Sequence, residues 1–595
     1  MSQFFRKHKK YLTVLAAAIL LLSLLPVYEV VYYLGDKFQG VPPSYIDDNY
    51  YYVRVKEVVD GYPWLGNPYF IEHRADIAPA FVFPDWLYAL PMLAGLPLFA
   101  TISLNFSFWA LLFGLMVYIS LTMFGLSRRW SAIGALVTFT QVYLLILRPV
   151  SMQIVFPFYL LFVIAVFIWD KAPAKKSNML FLAASAAATF YDYGYLWQIV
   201  AVEMLLLFGY TLFKKDRMRF ISLAKASVLT GIFVIPFILF TLKQIHNPFY
   251  WQTMERTGLV YTHLPTALAF QTALWVIALC LSLFLSSRWV SVLRNDEIYQ
   301  RFTVLYALLG ISMSVVSLSN LITGKELETA QHVGRFIILW LIIGTIELVY
   351  HLIKARPQIL RLHFRQKATL ALLSFIVLMG NASYAGDLGT FLHPTQRIAA
   401  MERAQEYIPA YTWLDAAESE PQVIWVDPHS TLSGTLEIFT KHYVLFSGVG
   451  VLQLASNDEL KERYLIANTL SEPEITVSSI AKDSGNFAGV SKAYHLANTH
   501  NRGVKLCRMF RLSMLGYACG ELTNSETMNT PMAVDMYQEY QNRIIKNLAS
   551  EMAKYHVSYI MKDKELDTAF HPEKLPSITK VYEDKRFVIY KVPPK

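Results

Sequence analysis

The sequence predicts a polytopic α-helical membrane protein, with about eleven transmembrane helices and a C-terminal extracytoplasmic mixed α/β domain. Three observations predict it. Of 595 residues, 55% are hydrophobic and 16% charged, a more apolar balance than a soluble chain of this length needs. The apolar residues fall in blocks near the roughly 20 residues that span a bilayer. The basic residues alternate in density from one inter-block loop to the next, the pattern that orients membrane helices.

The first apolar block follows Arg6, Lys7, Lys9 and Lys10 and covers 11–34. No small-x-small cleavage site closes it, so it reads as an uncleaved span and not a signal peptide. Ten further spans read at 101–125, 131–148, 152–169, 179–193, 195–213, 219–241, 265–287, 302–322, 334–353 and 367–386. Loops assigned to the cytoplasm, with the N-terminal stretch, hold 21 Lys and Arg; those assigned outside before residue 387 hold nine. The N-terminus is therefore expected in the cytoplasm and the C-terminus outside, in a protein integral to the cell membrane. Residues 79–98 are apolar enough to span, but counting them would invert every later loop. With Pro84, Asp85, Pro91 and Pro97 inside the stretch, it reads as a helix in the outer interface, Trp86 and Tyr88 at headgroup depth.

Residues 1–386 thus form a membrane module whose first external loop covers 35–100. Near 387 charged residues become frequent and apolar runs shorten. Strands are expected at 422–427, 442–448, 557–563 and 586–592, and helical spacing at 458–470 and 533–555. The domain 387–595 has an ordinary domain size. The net charge of +9 is distributed between apolar blocks and not on one soluble face, which excludes nucleic acid as a partner. Cys280 lies inside a span; Cys507 and Cys519 read equally well as a disulfide or as two buried thiols. No Cys/His cluster argues for zinc.

The loop segment 47–74, DDNYYYVRVKEVVDGYPWLGNPYFIEHR, carries the densest chemistry. Tyr52, Val55 and Val59 share a helical face while Arg54, Lys56, Glu57 and Asp60 stay polar, which suits a helix resting on the membrane surface. Asp47 and Arg54, seven apart, share a face. Asp47 and Asp48 suit helix capping. They equally suit a carboxylate that takes a proton from an acceptor hydroxyl or amine, and the two roles can coexist on neighbours. Glu72 and His73 read as a solvated pair or as part of the same site.

This layout resembles the GT-C superfamily of membrane glycosyltransferases, which includes protein O-mannosyltransferases, the lipid A aminoarabinose transferase and the catalytic subunit of oligosaccharyltransferase. The local match is the Asp47-Asp48 stretch after the first span, and FPDWLYAL (83–90) is similar to a proline- and aromatic-bearing loop helix of such enzymes. The resemblance implies a polyprenyl-phosphate- or diphosphate-linked sugar donor, an acceptor (glycan, lipid or protein) met at the outer membrane face, and inversion at the anomeric carbon. Asp47 or Asp48 would take the catalytic acidic position. The turn Arg148-Pro149-Val150-Ser151 lacks the Asp-x-Asp that oligosaccharyltransferases use for a metal, and the C-terminal domain lacks their Trp-Trp-Asp. Both departures argue against metal-dependent asparagine glycosylation.

A lipid-phosphate donor needs cations at the interface. Arg335, Arg148 and Arg54 are the candidates, Arg335 foremost by its late external loop; the alternative is snorkelling to headgroups. Glu326, Glu328 and His332 share that late loop, as a solvated turn or as acceptor-facing groups. Asp192, in Tyr191-Asp192-Tyr193, is a further acidic candidate among aromatics that otherwise anchor the interface. The loop 243–264 has a lid-like composition and no assigned role. Glu203 and Glu347 lie inside spans, where a structural polar contact or a proton relay would hold them. Two other functions share the outline: a transporter or flippase of lipid-linked glycans, which should show two related halves, and a non-catalytic membrane scaffold.

Overall fold

The computed structural model describes residues 2–45, 47–382, 395–489, 492, 501–510, 512–520 and 525–593. The domain boundary expected near 387 falls outside them. Each predicted span coincides with helix. In chain order these are α1 (Ser2–Ser23), then, after the loop helices α2 (Asp48–Val59) and α3 (Phe83–Leu93), α4 (Leu98–Phe124), α5 (Arg128–Gln141), α6 (Ser151–Lys171) and α7 (Lys176–Asp192). There follow α8 (Leu196–Phe213), α9 (Arg217–Phe233), α10 (Ile235–Ile245), α11 (Ala267–Trp289), α12 (Glu297–Ser317), α13 (Thr329–Lys354) and α14 (Phe364–Ala382). Among the described residues, seven helical stretches are long and apolar enough to cross a membrane; α9 with α10, bent by 51°, makes an eighth. That bend falls where Pro236 opens α10, as expected of a residue that cannot donate to the preceding turn.

Caps fix the ends. Ser127, Asp216, Thr266 and Asp296 each accept a backbone N–H of the helix they start, and Gly125 closes α4 in the left-handed conformation. The helices α6 and α13 are the most enclosed of the spanning set. Tyr306 and Trp340 stack across α12 and α13 at 5.1 Å and bond each other's backbone carbonyls. Loops that the charge pattern puts on one side do meet: Arg128 donates to the Lys7 carbonyl, and Asp170 pairs with Arg219 and Arg301. The intramembrane carboxylates have neighbours. Glu347 lies 3.3 Å from His351, and Glu203 faces Ser312 across α8 and α12.

At the opposite end stands an α/β unit with a five-stranded sheet in the order β4-β3-β5-β7-β6. Its strands are β3 (Val423–Trp425), β4 (Tyr443–Val444), β5 (Val557–Asp563), β6 (Thr579–Glu583) and β7 (Phe587–Lys591). β3 runs parallel to β4 and β5, and the β5–β7 and β7–β6 pairs are antiparallel. β6 is the strand the sequence patterning did not predict; its side chains are mostly exposed, so it carries no apolar alternation. The helices are α15 (Tyr407–Ala417), α16 (Asn457–Ala467), α17 (Arg502–Met509) and α18 (Ser525–Glu539). Alternation along the strands splits the core in two. Val423 and Trp425 join Tyr464 and Ile560 on one face, and Ile424 and Val426 join Tyr411 and Ile589 on the other. Tyr52, Val53, Tyr69 and Phe70, from the loop 35–100, complete that second core.

This corrects the reading of α2 as a helix lying on the membrane surface. Arg54 and Glu57, taken as its polar face, are buried. Arg54 forks onto Asp85 of α3 at 2.9 and 2.7 Å, and Tyr443 of β4 donates to Glu57 at 3.0 Å. Tyr88, read as an interface side chain, is likewise buried inside the protein. The eleven residues of α3 reach about 16 Å, roughly half of a hydrocarbon core. The turn after α2 is tight: a Cβ on Gly66 would stand 2.3 Å from the His73 carbonyl oxygen and 2.6 Å from that of Arg74. Gly66→Ala is therefore expected to destabilise the loop by about 1–3 kcal/mol through forced backbone displacement, measured as faster hydrogen exchange over residues 66–76.

Candidate active site

Four turns converge at the end of the bundle that bears the α/β unit. Asp47 opens α2 and pairs with Arg148, which ends the third predicted span. The Arg148 guanidinium also lies over the Tyr51 ring, 5.4 Å from its centre. Tyr193, just past α7, bonds His332 of α13 and accepts from Arg335 Nη1 at 3.2 Å. His332 stacks on Tyr195 at 4.4 Å and approaches Glu328 at 3.3 Å. With Nε2 facing a carboxylate and Nδ1 facing a phenol, the imidazole carries its proton on Nε2. The chain then runs from the Arg335 N–H to the Tyr193 O–H, to His332, to Glu328. Tyr51 and Tyr193 both sense Asp47 and Arg148 electrostatically, so the two halves form one cluster. Burial raises the Tyr51 phenol well above its ordinary value, keeping it a neutral donor.

Backbone strain marks both flanks. Val150, beside Arg148, has φ 60° and ψ −52°, and Glu328 has φ 42°. A β-branched residue rarely takes that conformation, and such outliers gather at functional sites.

The two aspartates differ. Asp47 sits at the N-cap position but makes no side-chain cap bond, and its carboxylate is part-exposed. Asp48 is 1% exposed and accepts from the Tyr45 backbone N–H at 2.9 Å. Asp48 thus fastens the chain just ahead of the helix, no side chain among the described residues caps the first turn, and Asp47 is left facing Arg148. Next to them a narrow apolar crevice of about 20 Å³ runs between α1, α4 and the loop, lined by Val27, Pro43, Tyr45, Tyr52 and Phe106. Behind it Glu29 accepts from Tyr45 at 3.0 Å and pairs with Arg397.

Of the residues singled out in the sequence, the cluster brings together Asp47, Arg148, His332, Arg335 and Glu328. It does not include Arg54, whose planar fork is committed to Asp85, nor does Arg54 share a site with Asp47. Glu72 accepts from Arg463 at 2.6 Å, and His73 bonds Asp76 and Glu459 at 2.9 and 2.8 Å; both tie the loop to α16. Asp192 is buried at the end of α7 and has no hydrogen-bond partner among the described residues. Glu326 is no solvated turn residue. It is buried in β2 (Lys325–Leu327), which pairs with β1 (Leu259–Tyr261), and burial lifts its carboxyl to about 7. The lid-like loop is pinned rather than open, since buried Arg256 donates to the Val451, Gln453 and Ala455 carbonyls at 2.8–3.0 Å. Tyr51, Tyr193 and Tyr195 were missed as site residues. The signal of Tyr193 and Tyr195 was the aromatic run around Asp192, which reads as interface anchoring; that of Tyr51 was the run Tyr50-Tyr51-Tyr52 just after the two aspartates. Among the described residues no group of three or more His, Cys, Asp or Glu side chains gathers as a metal site.

The junction between loop and α16 titrates. Burial alone would raise the Glu459 carboxyl, but the His73 hydrogen bond and the Arg463 charge outweigh it and hold it at about 2. Burial would lower His73, yet the Glu459 and Asp76 bonds raise it above 6.5. Glu459 therefore contributes stability above about pH 4.5 that is lost as pH falls, and His73 contributes below 6.5 and loses it as pH rises through its raised value. Burial lifts Glu57 to about 7, so its folded form binds the extra proton and stability declines as pH climbs through that value. The junction is expected to be tightest slightly above pH 4.5 and to loosen on either side, read as proteolytic susceptibility of residues 62–78. His73→Asn should flatten the alkaline limb.

No family model matches the sequence, and no curated protein matches it. Solved structures similar to the chain include two of one protein. One is ArnT from Cupriavidus metallidurans bound to undecaprenyl phosphate, 14% identical, covering 97% of this chain and 97% of that one, with a TM-score of 0.48. The other is ArnT from Cupriavidus metallidurans in the apo state, 11% identical, covering 95% and 96%, with a TM-score of 0.46.

Proposed function

We propose that the chain is a GT-C-type glycosyltransferase that moves a sugar from a polyprenyl phosphate or diphosphate carrier to a glycan, lipid or protein acceptor at the outer membrane face. The observation that carries the reading is the convergence of a part-exposed carboxylate, Asp47, with two arginines, Arg148 and Arg335, from turns up to 288 residues away. In this reading Asp47 takes the proton of the acceptor hydroxyl or amine as that group attacks the anomeric carbon. The bond from that carbon to the phosphate oxygen breaks with inversion. The electron pair leaves on the phosphate, whose charge Arg148 and Arg335 receive. Tyr193 holds Arg335 in place, and His332 in turn holds Tyr193. The eleven-span topology, with loop 35–100 and the α/β unit outside, belongs to the same proposal and is supported by the 21 to nine distribution of basic residues.

The test is incubation of the purified protein in lipid discs with radiolabelled polyprenyl-linked sugars and candidate acceptors. Covalent transfer of label is the expected result. Movement of the donor across the bilayer without any transfer product would point to a flippase instead, and neither activity to a scaffold.

A further inference from the structure

The proposed reaction leaves one segment of the α/β unit without a role. Residues 501–510 and 512–520 comprise α17, a short helical turn at Leu512–Leu515 and the bridge Cys507–Cys519 that closes them into a stapled arm. Phe510, Met514, Leu515 and Tyr517 are 52–77% exposed, a concentration of apolar side chains that a surface facing only water does not carry. The sequence from 502 to 520 also places Arg502, Lys505, Arg508 and Arg511 with no acidic residue among them. Basic and apolar residues interleaved in a short helical segment suit the boundary between headgroups and acyl chains.

Position supplies the second argument. The Phe510 ring stacks edge-on at 5.2 Å against Phe270 in the first turn of α11. Below Phe270 on the same helix, Leu274, Ile277, Leu281 and Phe284 are exposed at heptad spacing. A stripe of that kind on a 23-residue apolar helix is a bilayer-facing surface. The arm therefore continues that stripe at its end.

We propose that the stapled arm is a membrane anchor of the α/β unit: Phe510, Met514, Leu515 and Tyr517 enter the acyl boundary, and the basic side chains Arg502 and Lys505 engage the phosphates of anionic phospholipids. The proposal does not depend on the glycosyltransferase reading.

The test uses the full chain in lipid discs with benzoylphenylalanine incorporated in place of Tyr517 and, separately, of Met514, both exposed. Leu566, exposed on the α/β unit and 46 residues beyond the end of the arm in sequence, carries the probe as a control. After illumination, peptides of the arm should bear phospholipid adducts and the control peptide none. Discs of phosphatidylglycerol should exceed discs of phosphatidylcholine in adduct yield at least about threefold at low salt, with the difference collapsing at high salt. Adducts absent at both arm positions overturn the anchor. Equal yields in neutral and anionic discs overturn the headgroup assignment.

Discussion

Asp47→Asn is expected to lower transfer from a polyprenyl-linked sugar by roughly 10²–10⁴-fold, the usual worth of a positioned general base, with insertion and folding preserved. The substitution keeps size and shape but cannot accept the acceptor's proton. It also removes the negative partner of Arg148, so the arginine should hold the donor phosphate at least as well as before. The loss is therefore expected in kcat, with donor KM unchanged or lower. Asp48→Asn should behave differently. Asp48 Oδ2 receives the Tyr45 backbone N–H, so its amide would cost mainly stability of the loop's entry and leave most of the turnover. Initial rates over a range of donor concentrations separate the two; equal kcat losses for both variants, or none for Asp47→Asn, would remove Asp47 from the proposed role.

The second large effect lies at the joint between the loop and the α/β unit. Arg463 has a fully buried side chain. It donates to Glu459 at 2.9 Å, to the Leu445 carbonyl at 3.0 Å and to Glu72 at 2.6 Å. Its guanidinium lies between Phe70 and Tyr555, 4.4 and 4.1 Å from their ring centres. Arg463→Ala takes the donor from Glu72 and from the buried Leu445 carbonyl and leaves Glu459 with His73 alone. A cost of about 3–5 kcal/mol follows for breaking a buried pair from one side. Arg463→Lys should recover only part of it, because a point charge cannot satisfy three separate acceptors or stack between two rings. The midpoint of denaturant unfolding of the α/β unit measures both, and a shift within the range of ordinary surface substitutions would refute the role given to Arg463.

The membrane helices were legible because span length and loop charge are local properties of the sequence. Strands such as 557–563 were legible for the same reason, their apolar alternation being unbroken. The cluster was partly legible: Asp47, Arg148, His332 and Arg335 could be placed at one end by topology alone. What could not be read was partnership. Arg54 looked like a free interfacial cation because nothing local in the sequence pairs it with Asp85, 31 residues on in a separate helix. Glu72 and His73 looked solvated because their partners lie 391 and 386 residues later. Tyr193 was passed over because aromatics beside a span ordinarily serve as anchors, and only its contact with both His332 and Arg335 distinguishes it.

The dependence of loop 35–100 on strands near the end of the chain bears on biogenesis. The Val444 backbone N–H bonds the Tyr69 carbonyl, so the ribosome must complete β4 before the loop's own polar groups are satisfied. At roughly 5–20 residues per second, an interval on the order of 20–80 s separates emergence of the two. During it the nascent loop presents Tyr69, Phe70 and Glu72 unpaired, exposed to holdase chaperones and to quality-control proteases. A chain terminated before residue 395 would insert its helices yet keep that vulnerability permanently, so truncated products are expected to be short-lived in the cell.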